Sequence, residues 1–215
     1  MKEFLLPYGK ETLKVEIEDE HLAGELVSEL HSYKAPKGGA ELVQDALEHP
    51  IGSPRLCDMA VGKKKIVVIS SDHTRPVPSH IIMPLLLAEI RKGNPDADIT
   101  ILISTGLHRG TKKEELESKF GKEITDNETI VVHDCDDEDN MVYIGKLPSG
   151  GNIILNKLAV EADLLVAEGF IEPHFFAGFS GGRKSVLPGV ASRETVMYNH
   201  NSAFIADPHA RTGVI

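Results

Sequence analysis

The chain has 215 residues, 41% of them hydrophobic, which is enough for one large domain or two small ones with a proper core. Its formal net charge is −10, and an acidic chain repels phosphate backbones, so nucleic acid is not an expected partner. The two cysteines, Cys57 and Cys135, form no C-x-x-C motif, which argues against a disulfide framework or a zinc ribbon. Without a signal-peptide pattern or a run of about 18 apolar residues, we expect no membrane association and a cytoplasmic location.

The first part of the chain predicts a β-hairpin followed by short helices. Strands are expected over residues 4–6 and 13–17, on either side of a turn at Gly9-Lys10. Residues 32–39, with one proline and two glycines, indicate an exposed connection. A helical pattern covers residues 41–47, and a second short helix is expected after Ser53.

From Lys64 onward, apolar strand-like runs alternate with helical patterns. Such short runs, rich in β-branched residues, are typical of strands that are buried on both faces. The predicted strands are residues 65–70, 99–104, 129–133 and 164–167. This alternation predicts an α/β fold with a mixed, largely parallel sheet flanked by helices, and with additional β-hairpins.

Helices and one more hairpin complete the predicted secondary structure. A helix is expected over residues 79–91, and a capping box from Thr111 to Glu114 opens the next helix. Residues 141–157 indicate a hairpin whose turn is Pro-Ser-Gly-Gly. The stretch 190–204 is predicted to be helical.

Polar loops follow three of the predicted strands. Residues 71–76, 105–110 and 168–174 each combine imidazole, guanidinium or carboxylate groups with glycine or proline. These side chains are costly to bury without partners, and ligands of α/β sheets bind beyond the carboxyl ends of the strands. We therefore expect the three loops to form one polar pocket.

The densest polar segment is residues 178–185, Gly-Phe-Ser-Gly-Gly-Arg-Lys-Ser. Glycines let backbone amides approach an anion closely, and Arg183 and Lys184 add positive charge, so the segment predicts a phosphate cradle. A glycine-rich helix entry with solvated charges is the alternative interpretation. The segment is not a P-loop, because Arg183 stands where that motif needs a glycine before Lys-Ser.

Three of the ten histidines are candidates for chemistry. His108 and His174 follow predicted buried strands, and His200 lies in a helical stretch, although a lone histidine is more often structural or solvated. No H-E-x-x-H or comparable spacing supports a conventional zinc site. His133 and Cys135 could bind a soft metal, but we favour a surface loop there, and we interpret the acidic residues that follow as a solvated turn.

Three segments closely resemble the nickel-dependent lactate racemase family. They are residues 70–80, Ser-Ser-Asp-His-Thr-Arg-Pro-Val-Pro-Ser-His, residues 105–109, Thr-Gly-Leu-His-Arg, and residues 169–189, which contain His-Phe-Phe-Ala-Gly-Phe-Ser-Gly-Gly-Arg-Lys-Ser. The similarity extends along almost the whole chain. Composition and periodicity alone indicate only an α/β enzyme with an anion-binding pocket.

The resemblance implies a nickel cofactor of the pyridinium-3,5-bisthiocarboxylic acid mononucleotide type. Lys184 matches the lysine that binds it covalently through a thioamide, and His200 matches the histidine that completes a planar nickel site with two sulfurs and a ring carbon. Soft donors in a square plane suit Ni(II), and a lysine amine is a suitable nucleophile. The other cofactor-binding residues that the resemblance implies are Ser180, Gly181, Gly182 and Arg183.

The resemblance also implies an isomerase that interconverts the enantiomers of lactate. Hydride moves reversibly to the cofactor through pyruvate, and His108 and His174 match the family's two acid/base histidines. Arg75 suits the substrate carboxylate, because a guanidinium can bind it through two hydrogen bonds. Asp72 matches a site position, and we expect it to orient Arg75 or a cofactor hydroxyl.

Members of this family are substantially longer than 215 residues. We therefore expect residues 1–215 to be the N-terminal cofactor-binding domain of a two-domain enzyme, without its C-terminal domain and with negligible activity alone. The expected partners are a 2-hydroxy acid, that second domain and the proteins that make the cofactor.

Two alternatives to a lactate racemase stay open. The first is an epimerase of another 2-hydroxy acid that uses the same cofactor. The second is a non-catalytic domain that binds a nucleotide or a metal. Phosphoryl transfer is disfavoured, because Arg183 breaks the Walker pattern.

Overall fold

The computed structural model of the chain describes residues 1–214, with the side chain of His31 left out, and the chain divides into two compact units, Met1–Lys37 and Gly38–Ile215. The first unit contains an antiparallel hairpin of β1 (Lys2–Tyr8) and β2 (Glu11–Ile17). Gly9, in the turn, has a φ of 61°, a backbone conformation that suits glycine. The predicted N-terminal hairpin is confirmed.

The second unit alternates strands and helices, as the hydrophobic runs predict. Its elements are α1 (Gly39–Glu48), α2 (Leu56–Ala60), β3 (Lys65–Ser71), α3 (Ser79–Gly93), β4 (Asp98–Ser104), α4 (Lys113–Phe120), α5 (Lys122–Asn127), β5 (Thr129–Val132), β6 (Met141–Lys146), β7 (Asn152–Asn156), α6 (Lys157–Val160), β8 (Leu164–Ala167), β9 (Pro173–His174), β10 (Gly178–Phe179), α7 (Arg193–Asn199) and α8 (Ser202–Ile205). Gly182–Ser185 forms a 3-10 turn.

The main sheet has four parallel strands in the order β5-β4-β3-β8. The chain proceeds from β3 to β4 to β5 in one direction and then returns to place β8 on the other side of β3. Such a reversal opens a crevice at the carboxyl ends of the strands, here between β3 and β8. With the antiparallel β6–β7 pair beside it, this arrangement confirms the predicted fold class.

Hydrophobic packing on both faces of the sheet holds this unit together. On one face, Ile66 and Val68 of β3 pack with Met83 and Ile90 of α3. On the opposite face, Val67 and Ile69 lie with the buried Val190. Each such side chain that is fully buried contributes about 1.5–3 kcal/mol. β3 is thus buried on both faces, as predicted.

The strand β8 differs from its prediction, which was a fully buried strand. It pairs only with β3 and lies at the sheet edge, and Leu165 is 39% exposed. Its residues alternate between partial burial and exposure. A continuous apolar run does not distinguish a central strand from an edge strand.

The continuous helix predicted for residues 190–204 is also wrong. Residues 190–192 precede α7, which ends at Asn199, and α8 begins at Ser202. The Asn201 side chain accepts a hydrogen bond from the Phe204 amide at 3.0 Å and starts a new helix. Asparagine favours such capping over a position inside a helix. The break leaves His200 at the C-terminal cap of α7.

The predicted capping box lies one residue too early. The N-terminal cap of α4 is Lys112, whose amide donates to the Glu115 carboxylate at 2.8 Å. The Thr111 hydroxyl instead contacts Nδ1 of His73 at 3.1 Å. Two short helices, α5 and α6, were not predicted. None of the helices in the described residues is long and apolar enough to cross a membrane.

Candidate functional site

A cleft of about 290 Å³ lies beyond the carboxyl ends of β3, β4 and β8. It lies where the reversal in strand order predicts a ligand site. Eight of the ten site residues named from the sequence line it: Asp72, Arg75, His108, His174, Ser180, Gly181, Lys184 and His200. The other two, Gly182 and Arg183, are exposed and lie outside the lining.

The strand wall of the cleft consists of residues 71–75 and 104–108, which begin at the last residues of β3 and β4. Asp72 is only 2% exposed, and its Oδ2 lies 2.6 Å from Nδ1 of His108. A carboxylate can only accept, so Nδ1 carries the proton and the Nε2 lone pair of a neutral His108 is available as a base. The chain therefore sets the tautomer of this imidazole.

The other oxygen of Asp72 is also satisfied. Oδ1 accepts hydrogen bonds from the Thr74 amide at 3.1 Å and the Thr74 hydroxyl at 2.6 Å. Burial raises the pKa of Asp72, but the hydrogen bonds from Thr74 and His108 more than offset it and hold the pKa below its ordinary value. Asp72 is therefore an ionised partner for His108.

Arg75 reaches Asp72 only through an intermediate. Its Nη1 donates to the Thr74 hydroxyl at 2.9 Å, and that hydroxyl donates to Asp72. Within the described residues, Arg75 pairs with no carboxylate. Asp72 thus orients His108 directly and Arg75 only indirectly, whereas the sequence led us to expect Arg75 or a cofactor hydroxyl as its partner.

The loop wall of the cleft consists of residues 169–189 together with His200. His174 accepts hydrogen bonds at Nδ1 from the amides of Phe176, at 3.4 Å, and Ala177, at 3.2 Å. In the neutral ring the proton therefore lies on Nε2, the tautomer opposite to that of His108. Phe175 stacks on the imidazole with a centroid separation of 4.9 Å. Burial, and then the charges of Lys184 and Arg75, lowers the pKa of His174.

Lys184 lines the cleft. It forms no ion pair with any carboxylate in the part of the chain that the structure describes. Burial is the main cause that lowers its pKa, with a further contribution from Arg75, and Glu172 only partly opposes them. A lysine with a lowered pKa has more free amine at neutral pH and is a better nucleophile.

His200 lines the cleft at the end of α7. Its Nδ1 is buried and has no hydrogen-bond partner in the described chain, and its ring meets Phe176 edge to face at 5.4 Å. Burial, together with the charge of Lys184, lowers the pKa of His200, although a backbone contact with Val196 opposes that shift. A neutral imidazole with an unsatisfied nitrogen is the form that ligates a metal.

The backbone at Gly181 requires a glycine. Its φ is 78°, and a Cβ placed there would lie 2.8 Å from the Phe170 carbonyl oxygen. A larger residue would therefore both strain the backbone and displace the neighbouring loop. The close approach of these two loop segments gives the loop wall its shape.

Several cleft residues were not named from the sequence. They are hydroxyl-bearing side chains at the same strand ends or in the glycine-rich segment: Ser71, Ser104, Thr105 and Ser185. The sequence signal for Ser71, Ser104 and Thr105 is their position at the end of a strand, and that for Ser185 is its place in the glycine-rich segment. Conversely, Arg109 lies in a polar loop but leaves the cleft to pair with Glu115 at 2.5 Å.

The acidic loop after β5 offers a weaker alternative site. His133 is only 2% exposed, and its two nitrogens contact the Ala191 carbonyl at 3.1 Å and the Asn156 amide at 3.2 Å. The expected surface position is therefore wrong for His133, which is not free to join Cys135 on a metal. Asp134, Cys135 and Asp136 lie close enough to share an ion, but Arg193 already binds both Asp136 oxygens, at 2.6 and 2.7 Å.

A parallel α/β sheet with a polar cleft at its strand-order reversal defines a ligand-binding protein of the α/β class. In the part of the chain that the structure describes, Lys184 and Arg75 line that cleft and form no ion pair with a carboxylate, which suits an anionic ligand. The model of the lactate racemase N-terminal domain family matches residues 8–213. The chain belongs to this family.

Two curated relatives are lactate racemases. The protein from Thermoanaerobacterium thermosaccharolyticum is 59% identical over 210 residues, which are 98% of this chain and 49% of the relative. The protein from Lactiplantibacillus plantarum is 57% identical over 208 residues, or 97% of this chain and 49% of the relative. The chain spans about half the length of these relatives.

Solved structures share the fold. The lactate racemase apoprotein from Thermoanaerobacterium thermosaccharolyticum superimposes with a TM-score of 0.88 at 57% identity, over 99% of this chain and 49% of that chain. A protein from Thermotoga maritima gives a TM-score of 0.57 at 28% identity, over 73% of this chain and 38% of that chain. This chain therefore shares its fold with the matching half of that lactate racemase apoprotein.

Proposed function

We propose that this chain is the cofactor-binding part of a lactate racemase that uses a lysine-bound nickel pincer nucleotide. Membership of the lactate racemase N-terminal domain family supports the reaction. The observation that carries the proposal is the convergence of His108, His174, Lys184 and His200 on one cleft. A domain that only binds a nucleotide does not need two such imidazoles together with a lysine and a third histidine.

The residues of the loop wall fit the proposed cofactor. Lys184 has a lowered pKa and no counter-ion in the described chain, as a covalent attachment point requires. The buried Nδ1 of His200 lacks a partner, which marks this imidazole as incompletely satisfied by the protein and suits it as the nickel ligand. The backbone around Gly181 would hold the phosphate. When bound, the nickel pincer nucleotide supplies a reversible acceptor for the α-hydrogen of lactate as hydride.

We assign proton transfer to the imidazoles of His108 and His174. His108 presents Nε2 as a base for the substrate hydroxyl, because Asp72 holds the proton on Nδ1. His174 lies in the loop wall, where backbone amides fix its Nδ1 as an acceptor. Two separate bases can each serve one enantiomer, because the hydroxyl is presented to a different side of the site in each enantiomer.

Arg75 is the residue that we assign to the substrate carboxylate. It lines the cleft, and in the described residues only the Thr74 hydroxyl occupies its guanidinium. Its planar fork can bind a carboxylate through two parallel hydrogen bonds, which fixes the orientation of the α-carbon. This interaction is shared by every 2-hydroxy acid.

We further propose that residues 1–215 are the N-terminal, cofactor-binding domain of a two-domain enzyme. The relatives are about twice as long, which supports a second domain that completes the cleft and excludes water. We therefore expect negligible turnover by the 215-residue chain alone. The same proposal implies that other proteins synthesise the cofactor and that the enzyme is cytoplasmic, where they act.

Intact-mass spectrometry with nickel analysis tests the proposal. The complete gene product is expressed with cofactor-synthesising proteins that load a known lactate racemase. A mass increase on the peptide that contains Lys184, with bound nickel, supports the cofactor, and interconversion of L- and D-lactate supports the reaction. An unmodified Lys184 under those conditions contradicts the cofactor and favours the binding-domain alternative.

An epimerase of another 2-hydroxy acid is the second candidate. All 2-hydroxy acids share the carboxylate that we assign to Arg75 and the hydroxyl that we assign to His108 and His174. We assign no residue of this cleft to the methyl group of lactate. Comparing kcat/KM across a panel of 2-hydroxy acids separates the two candidates. Lactate as the best substrate supports the racemase, and a strong preference for a larger acid supports the epimerase.

A further inference from the structure

A buried carboxylate lies behind the cleft and has no role in the function proposed above. Glu168 follows the last residue of β8 and is only 5% exposed. Its Oε1 accepts hydrogen bonds from the hydroxyls of Ser70 and Ser79, each at 2.5 Å. Its Oε2 is buried and has no hydrogen-bond partner in the described residues.

The two serines that Glu168 holds lie on either side of one functional loop. Ser70 lies at the end of β3, and Ser79 is the first residue of α3. The loop between them carries Asp72 and Arg75, the strand-wall residues that orient His108 and face the cleft. One carboxylate oxygen thus joins both ends of this loop to the end of β8.

The charges around Glu168 also connect it to the cleft. Lys119 is partly buried, with Nζ 3.4 Å from the hydroxyl of Ser71, a residue of the cleft lining. Burial lowers the pKa of Lys119, while the negative charges of Glu168 and Asp72 oppose that shift. One lysine therefore lies within electrostatic range of both buried carboxylates.

A purely structural role does not require this residue. A buried carboxylate with an unpaired oxygen is costly, and an apolar side chain of similar size would cost less. Glu89, the other fully buried glutamate in the described chain, shows the contrast: its two oxygens pair with Arg55 and Lys92, both at 2.7 Å. Glu89 fits a structural ion pair, whereas Glu168 does not.

We propose that Glu168 is a positioning residue for the strand wall. By holding Ser70 and Ser79, it fixes the loop that carries Asp72 and Arg75, and through Asp72 it fixes the tautomer and orientation of His108. The effect on turnover rests on the proposed function, but the effect on the Asp72–His108 hydrogen bond does not. The two consequences can be measured separately.

Three variants of the complete gene product separate the possible roles. Glu168→Gln keeps an oxygen that accepts from both serines, and Glu168→Leu removes both hydrogen bonds. Glu89→Gln is the matched control, because it alters a buried glutamate outside the cleft. If Glu168→Leu does not fold, the double variant S70A/S79A removes the same two hydrogen bonds while it retains the carboxylate.

The first readout needs neither cofactor nor activity. In the cofactor-free protein, the His108 Nδ1 proton bound to Asp72 should give a low-field NMR signal, identified by its loss in His108→Asn. We expect this signal to be retained in Glu168→Gln and Glu89→Gln and to be lost through rapid exchange in Glu168→Leu. An unchanged signal in Glu168→Leu, or in S70A/S79A if that variant is used, overturns the proposal.

The second readout is steady-state kinetics of the loaded protein. We expect Glu168→Leu to lower kcat/KM for lactate about 10²-fold, the loss typical of a small misplacement of catalytic groups, and Glu168→Gln to recover most of it. The complete gene product could lose the NMR signal in Glu168→Leu and yet prove not to racemise lactate. That result supports the positioning role and contradicts only the proposed function. Full activity of Glu168→Leu overturns the positioning role even if racemisation is confirmed.

Discussion

The two walls of the cleft differ in how the protein satisfies their polar groups. On the strand wall, the buried Asp72 carboxylate accepts three hydrogen bonds, two from Thr74 and one from His108. On the loop wall, burial lowers the pKa of His174, Lys184 and His200, and the neighbouring positive charges add to that effect.

This difference indicates two separate roles. The strand wall is already organised without a ligand, because its carboxylate and imidazole satisfy each other. The loop wall concentrates basic groups without an acidic partner at ion-pair distance in the described residues. It is therefore the wall that an anionic, metal-containing ligand would stabilise most. Changes to the two walls should accordingly have separable effects on cofactor attachment and on proton transfer.

The largest expected effect comes from Lys184 on the loop wall. Lys184→Arg keeps the positive charge but removes the amine that we propose to form the thioamide, so we expect complete loss of cofactor attachment and of turnover. Intact-mass spectrometry of the complete gene product measures the attachment. Arg183→Lys is the matched control and should leave it unchanged, because Arg183 lies outside the cleft. Attachment in Lys184→Arg would place the covalent site elsewhere.

The next effect comes from His108 on the strand wall. His108→Asn should lower kcat by about 10²–10⁴-fold, the usual contribution of a general base, while the cofactor remains attached. His80→Asn, at an exposed position on α3, is the control for loss of a histidine. Turnover and intact mass are measured on the same sample. Loss of attachment in His108→Asn would show that the two walls are not separable.

A smaller loss of turnover is expected when Asp72 is changed, because Asp72 acts through His108. Asp72→Asn removes the charge that holds the Nδ1 proton, and we expect kcat to fall by about 10–100-fold, as for other residues that orient a functional imidazole. Steady-state kinetics together with the low-field NMR signal of His108 test this. A loss as large as that of His108→Asn, with the NMR signal retained, would mean that Asp72 contacts the substrate or cofactor itself.

Gly181 tests whether the shape of the loop wall matters. Gly181→Ala places a Cβ 2.8 Å from the Phe170 oxygen at a positive φ, so we expect about 1–3 kcal/mol of strain and slower cofactor attachment. Gly182→Ala is a close control, because Gly182 also has a positive φ but has open space around its Cβ position. Equal attachment rates in both variants would show that the close approach to Phe170 is unimportant.

The smallest effect concerns stability, away from both walls. Burial lowers the folded-state pKa of His133 below its ordinary value of 6.5, so between these values the unfolded chain binds more protons. Stability should therefore be complete above about pH 6.5 and decrease as the pH falls toward the folded-state pKa. His133→Asn should lower stability at neutral pH by about 1–3 kcal/mol, because it disturbs buried hydrogen bonds.

Chemical denaturation at several pH values measures the effect of His133. Below pH 6.5, the free energy of unfolding should decrease less in His133→Asn than in the wild type. An identical pH dependence in both proteins would assign the acid sensitivity to other groups.

The central sheet could be predicted because its signals are local. The β-branched runs of β3 and β4 are long enough to define buried strands, and the polar loops that follow them identify the cleft edge. The predictions for β8 and for residues 190–204 failed for the opposite reason. Whether a run lies at the sheet edge, and whether the Asn201 side chain caps a new helix, depends on contacts that periodicity does not encode.

The sequence by itself determined the α/β fold, the edge of the sheet where the cleft lies and eight of the residues that line the cleft. Hydrophobic periodicity and the position of a residue after a strand are properties of short segments, so they can be read directly. Only the tertiary structure decided that Asp72 pairs with His108, 36 residues away, and that His133 is buried. It also decided that Glu168 joins two serines 89 and 98 residues earlier. These pairings arise from the arrangement of distant segments, which fixes the distances and the burial that determine each group's chemistry.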